Sequence, residues 1–588
     1  MRRSFAAILL LLCGCRLTPV VAPSSPVVAA PVIDAGHPDA GEEEPEGGLA
    51  IAEPDAGTVA MELPPPPDDP MGAMYSKRLD FRGGDPMVAI RLMEGGHEVA
   101  FSPRGQLRMR VNGPVEKLVE APAGSRWHVR LTEGRPAQLL ARVQLAEFSG
   151  SDRAGVEAEQ AVWTARGVAT RVQTLGSVYG IAGKVIDNRK LLLVTEESQP
   201  LAEAKKRQAE ILRQHGLRTF LAETLSRPAS GILELLDADR NPVALAQDRI
   251  LAETVDGSGF AVDQVEYGVG YDFHGFEDRR YRGSLMLAVD REGGLAVINL
   301  VPLEELLYGL VPSEIFARAH PEALKAQAVT ARGEVLAKVG TKHLADPYLL
   351  CSEQHCAVYK GLSGEAASTN AAVQATHGEA LFSQEERLVD SVYSAVCGGH
   401  TEDNDIVWGG MPNPSLRGRP DVLPGVRVPM TPSRSIDGWL GADVPAMCRV
   451  SSFAQPSKYR WERRFTAEEA NRLTRHLNIG ALQAMAVTDR GVSGRARLLS
   501  LSGTQGATQI RGELSIRRLF GMLNSAMFVV SAEKAPDGQP ASWVFRGGGW
   551  GHGVGMCQTG AIGRAEAGQD YRAILRHYFN GAEVASIY

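Results

Sequence analysis

The chain has 588 residues, of which 44% are hydrophobic and 22% are charged, so a globular protein of two or more domains is expected. The acidic residues that give the net charge of -7 are concentrated before Tyr75, and the rest of the chain is close to neutral. A neutral body has no strong basic field for nucleic acid, and no run after the N-terminus is apolar enough to span a membrane.

The N-terminus has the pattern of an export signal. Two arginines precede the apolar run from Phe5 to Leu12, and the small residue Gly14 stands before Cys15. This resembles a bacterial lipoprotein signal, in which cleavage leaves Cys15 as a lipidated first residue. The alternatives are an ordinary signal peptide and an uncleaved anchor. We therefore predict a signal over residues 1–15 and an exported, periplasm-facing protein whose partner is the membrane, through a lipid anchor at Cys15.

Residues 16–75 are rich in proline, alanine and acidic residues, and they repeat the sequence Asp-Ala-Gly. Such a composition cannot bury a hydrophobic core. It predicts a disordered, extended tether, and the alternative is an acidic binding tail.

Order is predicted from residue 76 onward. Apolar residues alternate with polar ones from Val88 to Val111, which is typical of half-buried strands and indicates a β-rich part over residues 76–160. Residues 161–225 contain a helical stretch that stops at Gly216 between strand-like runs, which predicts a small α/β insert. The insert faintly resembles the SPOR domain that binds peptidoglycan, and the alternative is a plain structural insertion.

The remaining residues, 226–588, contain an acid near a predicted helix start. Because Pro312 interrupts the segment before it, we predict Glu314 as a loop carboxylate. Pro321 begins a helix with Glu322 in its first turn. Lys325 and Arg332 are seven residues apart and share one face of that helix.

Four motifs then follow in order and carry a resemblance. They are LLYGLVPSE with PEALKAQAVTAR, CSEQHCAVYKG, SAVCGGHTE and GWGHGVGMCQTGA. Together they resemble the family of sporulation stage II protein D and the LytB amidase modifier, roughly from Tyr281 to Tyr588. The fold class that we predict is α+β: a β-rich domain with a catalytic helix and glycine-rich loops, plus the small α/β insert.

The resemblance implies lytic transglycosylation of peptidoglycan, with Glu314 as the catalytic acid. Hydrolysis of a glycosidic bond usually uses two carboxyl groups, but one is enough when the sugar's own 6-hydroxyl attacks the anomeric carbon. Packing against apolar neighbours would raise the pKa of Glu314 as this role requires. Glu304, Glu305 and Glu322 are competing acids that the resemblance does not single out.

Further positions match the motifs and are predicted to contact substrate. The alternatives are a solvated helix face for the cations and tight turns for the glycines. The predicted substrate-binding residues are Lys325, Gln327, Arg332, Ser394, Gly398, Gly399, Thr401, Glu402, His552 and Gln558.

Two imidazoles and two thiols lie within fourteen residues, at His343, Cys351, His355 and Cys356. This is a possible tetrahedral zinc set, and the resemblance implies a zinc site here. A closed set of four ligands would make the zinc structural. The alternative is a disulfide between Cys351 and Cys356.

The five cysteines after the signal are an odd number and cannot all form disulfides. Cys397 and Cys557 stand where the relatives have small polar residues or serine, which leaves room for a Cys397–Cys448 bridge. A nucleophilic Cys397 near His400 or His552 is a weaker alternative.

We therefore expect a lytic transglycosylase that acts on peptidoglycan glycan strands, denuded of peptide stems. The alternative from another class is a non-catalytic peptidoglycan-binding protein or amidase modifier, for which a wall amidase would be the partner. A zinc peptidase is disfavoured, because no His-Glu-x-x-His motif is present.

Overall fold

The computed structural model describes residues 74–588 except 78, 182–183, 216, 218, 269–273, 354–355, 424 and 429. The predicted signal with Cys15, residues 16–73 of the predicted tether, and His355 lie outside the described residues. Helices and strands are both abundant, which confirms the α+β class. Among the described residues, no helix combines the length and the apolar character needed to cross a membrane.

Two large sheets contribute to one hydrophobic core. Strand Leu107–Val111 alternates buried and exposed residues, because successive side chains of a strand face opposite sides of the sheet. In spatial order, the eight-stranded sheet contains Asp80–Arg82, Asp85–Gly96, Leu295–Pro302, Ser284–Val289, Arg249–Thr254, Leu107–Val111 and Lys117–Ala121, with Leu350–Cys351 parallel to Asp85–Gly96. The six-stranded sheet contains Pro242–Gln247, Ser230–Leu236, Trp127–Arg135, Glu98–Pro103, Phe260–Tyr267 and Gly275–Tyr281.

The α/β insert has a core of its own around Trp163. Its main elements in chain order are Gln138–Ser149, helix Arg153–Ala165, Thr170–Leu175, Lys190–Thr195, helix Leu201–His215 and Phe220–Arg227, with the short strands Val178–Ile181, Lys184–Asp187 and Gln199–Pro200. The predicted boundary at residue 161 is wrong, because it falls inside the first helix. That helix buries only Val156 and Trp163, so its sequence carries a weak helical pattern. The likeness to a SPOR domain stays a prediction.

Two consecutive helices carry the first motif. Leu303–Glu314, called the acid helix below, follows strand Leu295–Pro302 directly. Pro321–Lys338, called the central helix, starts at Pro321 as predicted, and the His320 side chain caps it by accepting from the Glu322 N–H.

The central helix is buried on all sides instead of along one stripe, which is typical of a helix enclosed by other elements. It packs against the acid helix and four further elements. These are Ala367–Ala375, Glu379–Phe382, Gln558–Glu566 and Tyr571–Tyr578.

A second core lies between Arg460 and Gly548. It is built from two three-stranded sheets, one of Arg460–Thr466, Pro540–Gly548 and Phe528–Lys534, the other of Leu482–Arg490, Ala496–Gly503 and Gly506–Arg511. Helices Ala467–Thr474 and Glu513–Leu519 and the 3-10 turn Arg475–Leu477 complete it.

Short elements connect these parts. The remaining helical segments are the 3-10 turn Gly361–Gly364, Asn404–Trp408, Ile436–Gly441, Met447–Val450 and Pro456–Tyr459. Strand Glu379–Phe382 pairs with Glu583–Ser586. Strand Tyr393–Ser394 pairs in parallel with Met556–Cys557, which brings the third and fourth motifs side by side.

Candidate active site

Glu314 is the last residue of the acid helix. The prediction of a loop carboxylate is therefore wrong: the helix continues through Pro312 and ends at the extended residue Ile315. A proline so close to the C-terminus disturbs only the last turn, because few helical hydrogen bonds lie beyond it. The carboxyl group is thus fixed to a helix end and not to a flexible segment.

The Glu314 carboxyl is almost enclosed. The residue is 9% exposed, and its Oε2 atom has no hydrogen-bond partner among the described residues. Burial and the nearby carboxylate of Glu334 raise its pKa to about 8, although Lys338, the Val358 N–H and the Gln558 amide favour the ionised form. A carboxyl with this pKa is mostly protonated at neutral pH and can donate its proton.

Two predicted substrate-binding side chains, Gln558 and Gln327, meet beside Glu314. Gln558 Nε2 donates to the Glu314 backbone oxygen at 2.8 Å and lies 3.2 Å from Gln327 Oε1. Gln327 is fully buried, and its Nε2 has no partner within the described part of the chain. The first and fourth motifs are therefore joined at the acid through two amides.

Two charged residues beside the acid were not predicted. Glu334 and Lys338, four residues apart on the central helix, form an ion pair of 2.8 Å, and Lys338 Nζ also donates to the Cys356 carbonyl oxygen at 2.6 Å. Their spacing in the sequence indicates a helical ion pair. Nothing in the sequence shows that the pair faces Glu314, because that depends on how the helices pack.

Three of the four predicted metal ligands come together. Atoms of His343, Cys351 and Cys356 that can bind a metal all lie within 4.8 Å of one another, with His343 Nε2 at 3.1 Å from Cys356 Sγ. His343 Nδ1 lies 2.9 Å from Asp346 Oδ2, and such a carboxylate would hold the imidazole with Nε2 facing a metal. No disulfide joins Cys351 to Cys356. The donor set suits zinc, and the predicted fourth ligand, His355, lies outside the described residues.

The two predicted cations, Lys325 and Arg332, both form ion pairs within the protein. Arg332 has no exposed side-chain surface and is bound to Glu304 of the acid helix, with Nε–Oε1 and Nη2–Oε2 distances of 2.7 Å. Its guanidinium is therefore used in an ion pair inside the protein, and contact with substrate stays a prediction. Lys325 is half-buried and pairs with Glu322 at 2.7 Å.

Ser394 and His552 lie next to the Gln558 segment. Ser394 is opposite Cys557 in the parallel strand pair, and its Oγ has no partner among the described residues. His552 Nε2 lies 2.9 Å from the Tyr393 oxygen, and His552 Nδ1 accepts from the Val554 N–H at 3.0 Å. Burial and the charge of Arg495 lower the pKa of His552 to about 3, so the imidazole is neutral.

The third motif is mostly structural. Gly398 and Gly399 have φ of 77° and 98°, and a side chain on Gly398 would meet the backbone of the fourth motif. Thr401 Oγ1 donates to the Arg419 oxygen. Glu402 is fully buried and accepts from the N–H groups of Val492 and Ser493 and from the Ser493 hydroxyl. The polar groups of Thr401 and Glu402 are used inside the protein, and substrate contact by these residues stays a prediction.

Cys397 is also fully buried and forms no disulfide with Cys448; their sulfur atoms are 3.8 Å apart. The interpretation of Cys397 as a nucleophile is wrong because the thiol has no exposed surface. The predicted Cys397–Cys448 bridge is not formed in this structure.

Two family descriptions match parts of the chain. Stage II sporulation protein matches residues 291–382, which contain the acid and central helices, and domain of unknown function DUF8618 matches residues 403–555. An uncharacterized protein of Brachyspira hyodysenteriae is 26% identical over 347 residues, which cover 58% of this chain and 78% of that protein.

Two Bacillus subtilis proteins are similar to about half of this chain. The amidase enhancer is 27% identical over 308 residues, covering 48% of this chain and 40% of its own length. Stage II sporulation protein D is 27% identical over 319 residues, covering 51% of this chain and 78% of its own length. The shared region therefore spans less than half of the amidase enhancer.

Proposed function

The chain belongs to the family of stage II sporulation protein D and the amidase enhancer, and from this premise we propose that it is a lytic transglycosylase of peptidoglycan. The substrate would be the glycan strand, cut between N-acetylmuramic acid and N-acetylglucosamine. One observation carries this proposal: Glu314, in the motif that carries the family's acid, is a buried carboxyl whose pKa is raised to about 8.

A single carboxyl group is enough for this reaction. Protonated Glu314 donates its proton to the glycosidic oxygen as the bond to the anomeric carbon breaks. The resulting carboxylate then takes the proton of the muramic acid 6-hydroxyl, whose oxygen bonds to the same carbon and closes a 1,6-anhydro ring. No water is consumed, and Glu314 ends in the protonated form in which it began.

The surrounding residues position the acid. Gln558 holds the Glu314 backbone, while Lys338 and the Val358 N–H limit how far its pKa rises. Without these groups the carboxyl would be a weaker acid, since burial and Glu334 both favour the protonated form. The site therefore balances proton retention at neutral pH against proton release to the leaving oxygen.

Zinc is proposed as a structural component, bound by His343, Cys351, Cys356 and His355. A zinc ion with four protein ligands supplies rigidity and no open coordination position. Cys356 is two residues from Val358, and its carbonyl oxygen accepts from Lys338. These residues would thus hold the segment that contacts Glu314 in place.

Modification of an amidase is the second candidate function. It is favoured by the match to a protein named amidase enhancer and by the enclosure of Glu314, which is 9% exposed. In this case a wall amidase would be the partner and Glu314 would have no chemical role.

Export and a lipid anchor at Cys15 are proposed from the signal pattern alone. Labelling of cells with a radioactive fatty acid tests the anchor, because Cys15→Ser should abolish incorporation.

Digestion of purified denuded glycan in water enriched in oxygen-18 tests the reaction class. A lytic transglycosylase gives anhydro-ended fragments without the heavy isotope, whereas a hydrolase gives reducing ends that carry it. Fragments with labelled reducing ends would contradict the proposal, and the absence of any fragment would favour the amidase modifier.

A further inference from the structure

Three cysteines outside the candidate active site converge on one carboxylate. The sulfur atoms of Cys397, Cys448 and Cys557 and an oxygen of Asp421 all lie within 4.8 Å of one another, and all four residues are buried. We propose that these side chains form a second metal site, distinct from the one at His343, and that its ion is a structural zinc. The four residues are called the Cys3Asp cluster below.

The spacing of the cluster fits the edges of a metal-centred tetrahedron. Cys397 Sγ is 3.8 Å from Cys448 Sγ and 3.4 Å from Asp421 Oδ2. Zinc bonded to sulfur at about 2.3 Å places two sulfurs about 3.8 Å apart, and a sulfur and a carboxylate oxygen about 3.6 Å apart. A disulfide needs a separation of about 2.05 Å, and three thiols cannot all form disulfides with one another.

The carboxylate of the cluster is held in one orientation. Arg564 donates to Asp421 Oδ1 through Nε at 3.0 Å and Nη2 at 2.8 Å, and the Tyr578 hydroxyl donates to Oδ2 at 2.9 Å. Metal-bound carboxylates are usually fixed by such outer partners. The positive charge of Arg564 also offsets part of the negative charge that three thiolates and a carboxylate bring together.

Backbone N–H groups point at two of the sulfurs. The Cys397 N–H and the Gly560 N–H donate to Cys557 Sγ at 3.1 and 3.3 Å, and the Gly399 N–H donates to Cys397 Sγ at 3.4 Å. Hydrogen bonds that end on sulfur favour the charged thiolate, which is the form that binds metal.

The ligand types and the distances between the ligand atoms indicate which ion the cluster binds. Thiolates are soft ligands that prefer zinc, copper(I) and iron–sulfur clusters, and magnesium and calcium prefer oxygen. Ligand atoms within 4.8 Å of one another enclose one ion and leave no room for a multi-iron cluster. Four protein ligands around zinc leave no open position, so the site is structural.

The cluster joins distant segments next to the active site. Cys397 belongs to the third motif, Cys448 lies in helix Met447–Val450, and Cys557 caps helix Gln558–Glu566. The residue after Cys557 is Gln558, which donates to Glu314. An ion in the Cys3Asp cluster would therefore fix the start of the helix that positions Gln558.

Zinc content measured on the full-length protein, purified without chelator, tests this inference. We expect about two zinc ions per chain in the wild type and about one in Cys448→Ser and in Cys351→Ser, each variant having lost one closed site. Met447→Leu is the matched control, because it changes a buried neighbour of Cys448 without removing a ligand, and it should retain both ions.

The comparison separates the two sites. Equal zinc content in the wild type and Cys448→Ser would overturn the Cys3Asp cluster, whereas equal content in the wild type and Cys351→Ser would overturn only the site at His343. A Cys397–Cys448 disulfide in the peptide mass map of the wild type would also overturn the proposed metal site at the Cys3Asp cluster.

A measurement that needs no variant covers the case in which Cys448→Ser does not fold. Cobalt(II) exchanged into the wild type absorbs in the near ultraviolet in proportion to its thiolate ligands. If both sites are filled, the absorbance should correspond to five thiolates on two ions, three from the Cys3Asp cluster and two from the His343 site. An absorbance that corresponds to two thiolates on one ion would contradict the cluster.

Discussion

The side-chain amide of Gln558 donates to the backbone oxygen of Glu314 at 2.8 Å, across 244 residues of sequence. The same amide lies 3.2 Å from Gln327 Oε1, so residues of the first and last motifs meet at the acid. Neither motif contains a complete site. The fold brings these distant motifs together, and the site forms where they meet.

Replacing Gln558 by leucine should raise the pKa of Glu314 further. The amide favours the ionised carboxylate, and its loss leaves burial and Glu334 less opposed. In a pH–rate profile of glycan cleavage, the fall in kcat/KM above pH 8 should move to higher pH, with a lower maximum. Gln374→Leu is the control, because that amide donates to the Tyr308 hydroxyl in an exposed hydrogen bond and its loss should leave the profile unchanged. An unshifted basic limb in Gln558→Leu would contradict the assigned role.

Relative to the wild type, the Glu314→Gln variant should become more stable as pH rises. The folded protein keeps the Glu314 proton up to about pH 8, whereas the unfolded chain loses it near 4.5. Between these values the folded state binds more protons, so the free energy of unfolding falls with increasing pH, by on the order of a few kcal/mol in total. The Glu314→Gln variant does not lose stability in this way. The difference between its unfolding free energy and that of the wild type, measured with urea, should therefore grow in its favour from pH 5 to pH 8.

Glu322→Gln provides the opposite case. Burial opposes ionisation of Glu322, but Lys325 and the Tyr571 N–H lower its pKa below the usual value. That carboxylate stabilises the fold above its unfolded pKa, so Glu322→Gln should be less stable than the wild type at pH 7. A parallel loss of stability in Glu314→Gln and wild type between pH 5 and 8 would contradict the raised pKa of Glu314.

Much of this site follows from sequence, but its contacts do not. The resemblance of the motifs to the family indicates Glu314, Gln327 and Gln558, and proline placement predicts the start of the central helix. Arg332 shows the limit: its spacing from Lys325 predicts a common helix face, but only the packing of the helices shows that Arg332 pairs with Glu304. Likewise, the residues of the Cys3Asp cluster lie up to 160 positions apart, and no local pattern relates them.

Arg332→Met should destabilise the protein strongly and Lys325→Met only weakly. Removal of Arg332 leaves the buried Glu304 carboxylate without its main partner and should cost about 3–5 kcal/mol of unfolding free energy. Lys325 forms a partly exposed pair, whose loss should cost less than about 1 kcal/mol. Denaturant unfolding at pH 7 measures both. A fully stable Arg332→Met with weakened glycan binding would instead favour the predicted contact of Arg332 with substrate.

Loss of zinc from the His343 site should reduce activity without direct removal of a catalytic group. Cys356→Ser should loosen the segment that reaches Val358, lower Tm and decrease cleavage. The Cys356 carbonyl oxygen accepts from Lys338, and the Lys338 charge and the Val358 N–H both lower the pKa of Glu314. Ser352→Ala is the control, since Ser352 is a buried neighbour of Cys351 that is not a proposed ligand. Unchanged Tm and cleavage in a Cys356→Ser variant that has lost the zinc of the His343 site would rule out this structural role.

We propose that Glu314 is the sole acid and base of glycan cleavage. Mass spectrometry of denuded glycan digested by wild type, Glu314→Gln and Glu305→Gln provides the test, with Glu305→Gln as the control because Glu305 is a partly buried acid on the same helix. The expected result is a loss of anhydro-ended fragments of about 10²–10⁴-fold in Glu314→Gln, with Glu305→Gln close to wild type. Release of anhydro-ended fragments by Glu314→Gln at the wild-type rate would contradict the claim.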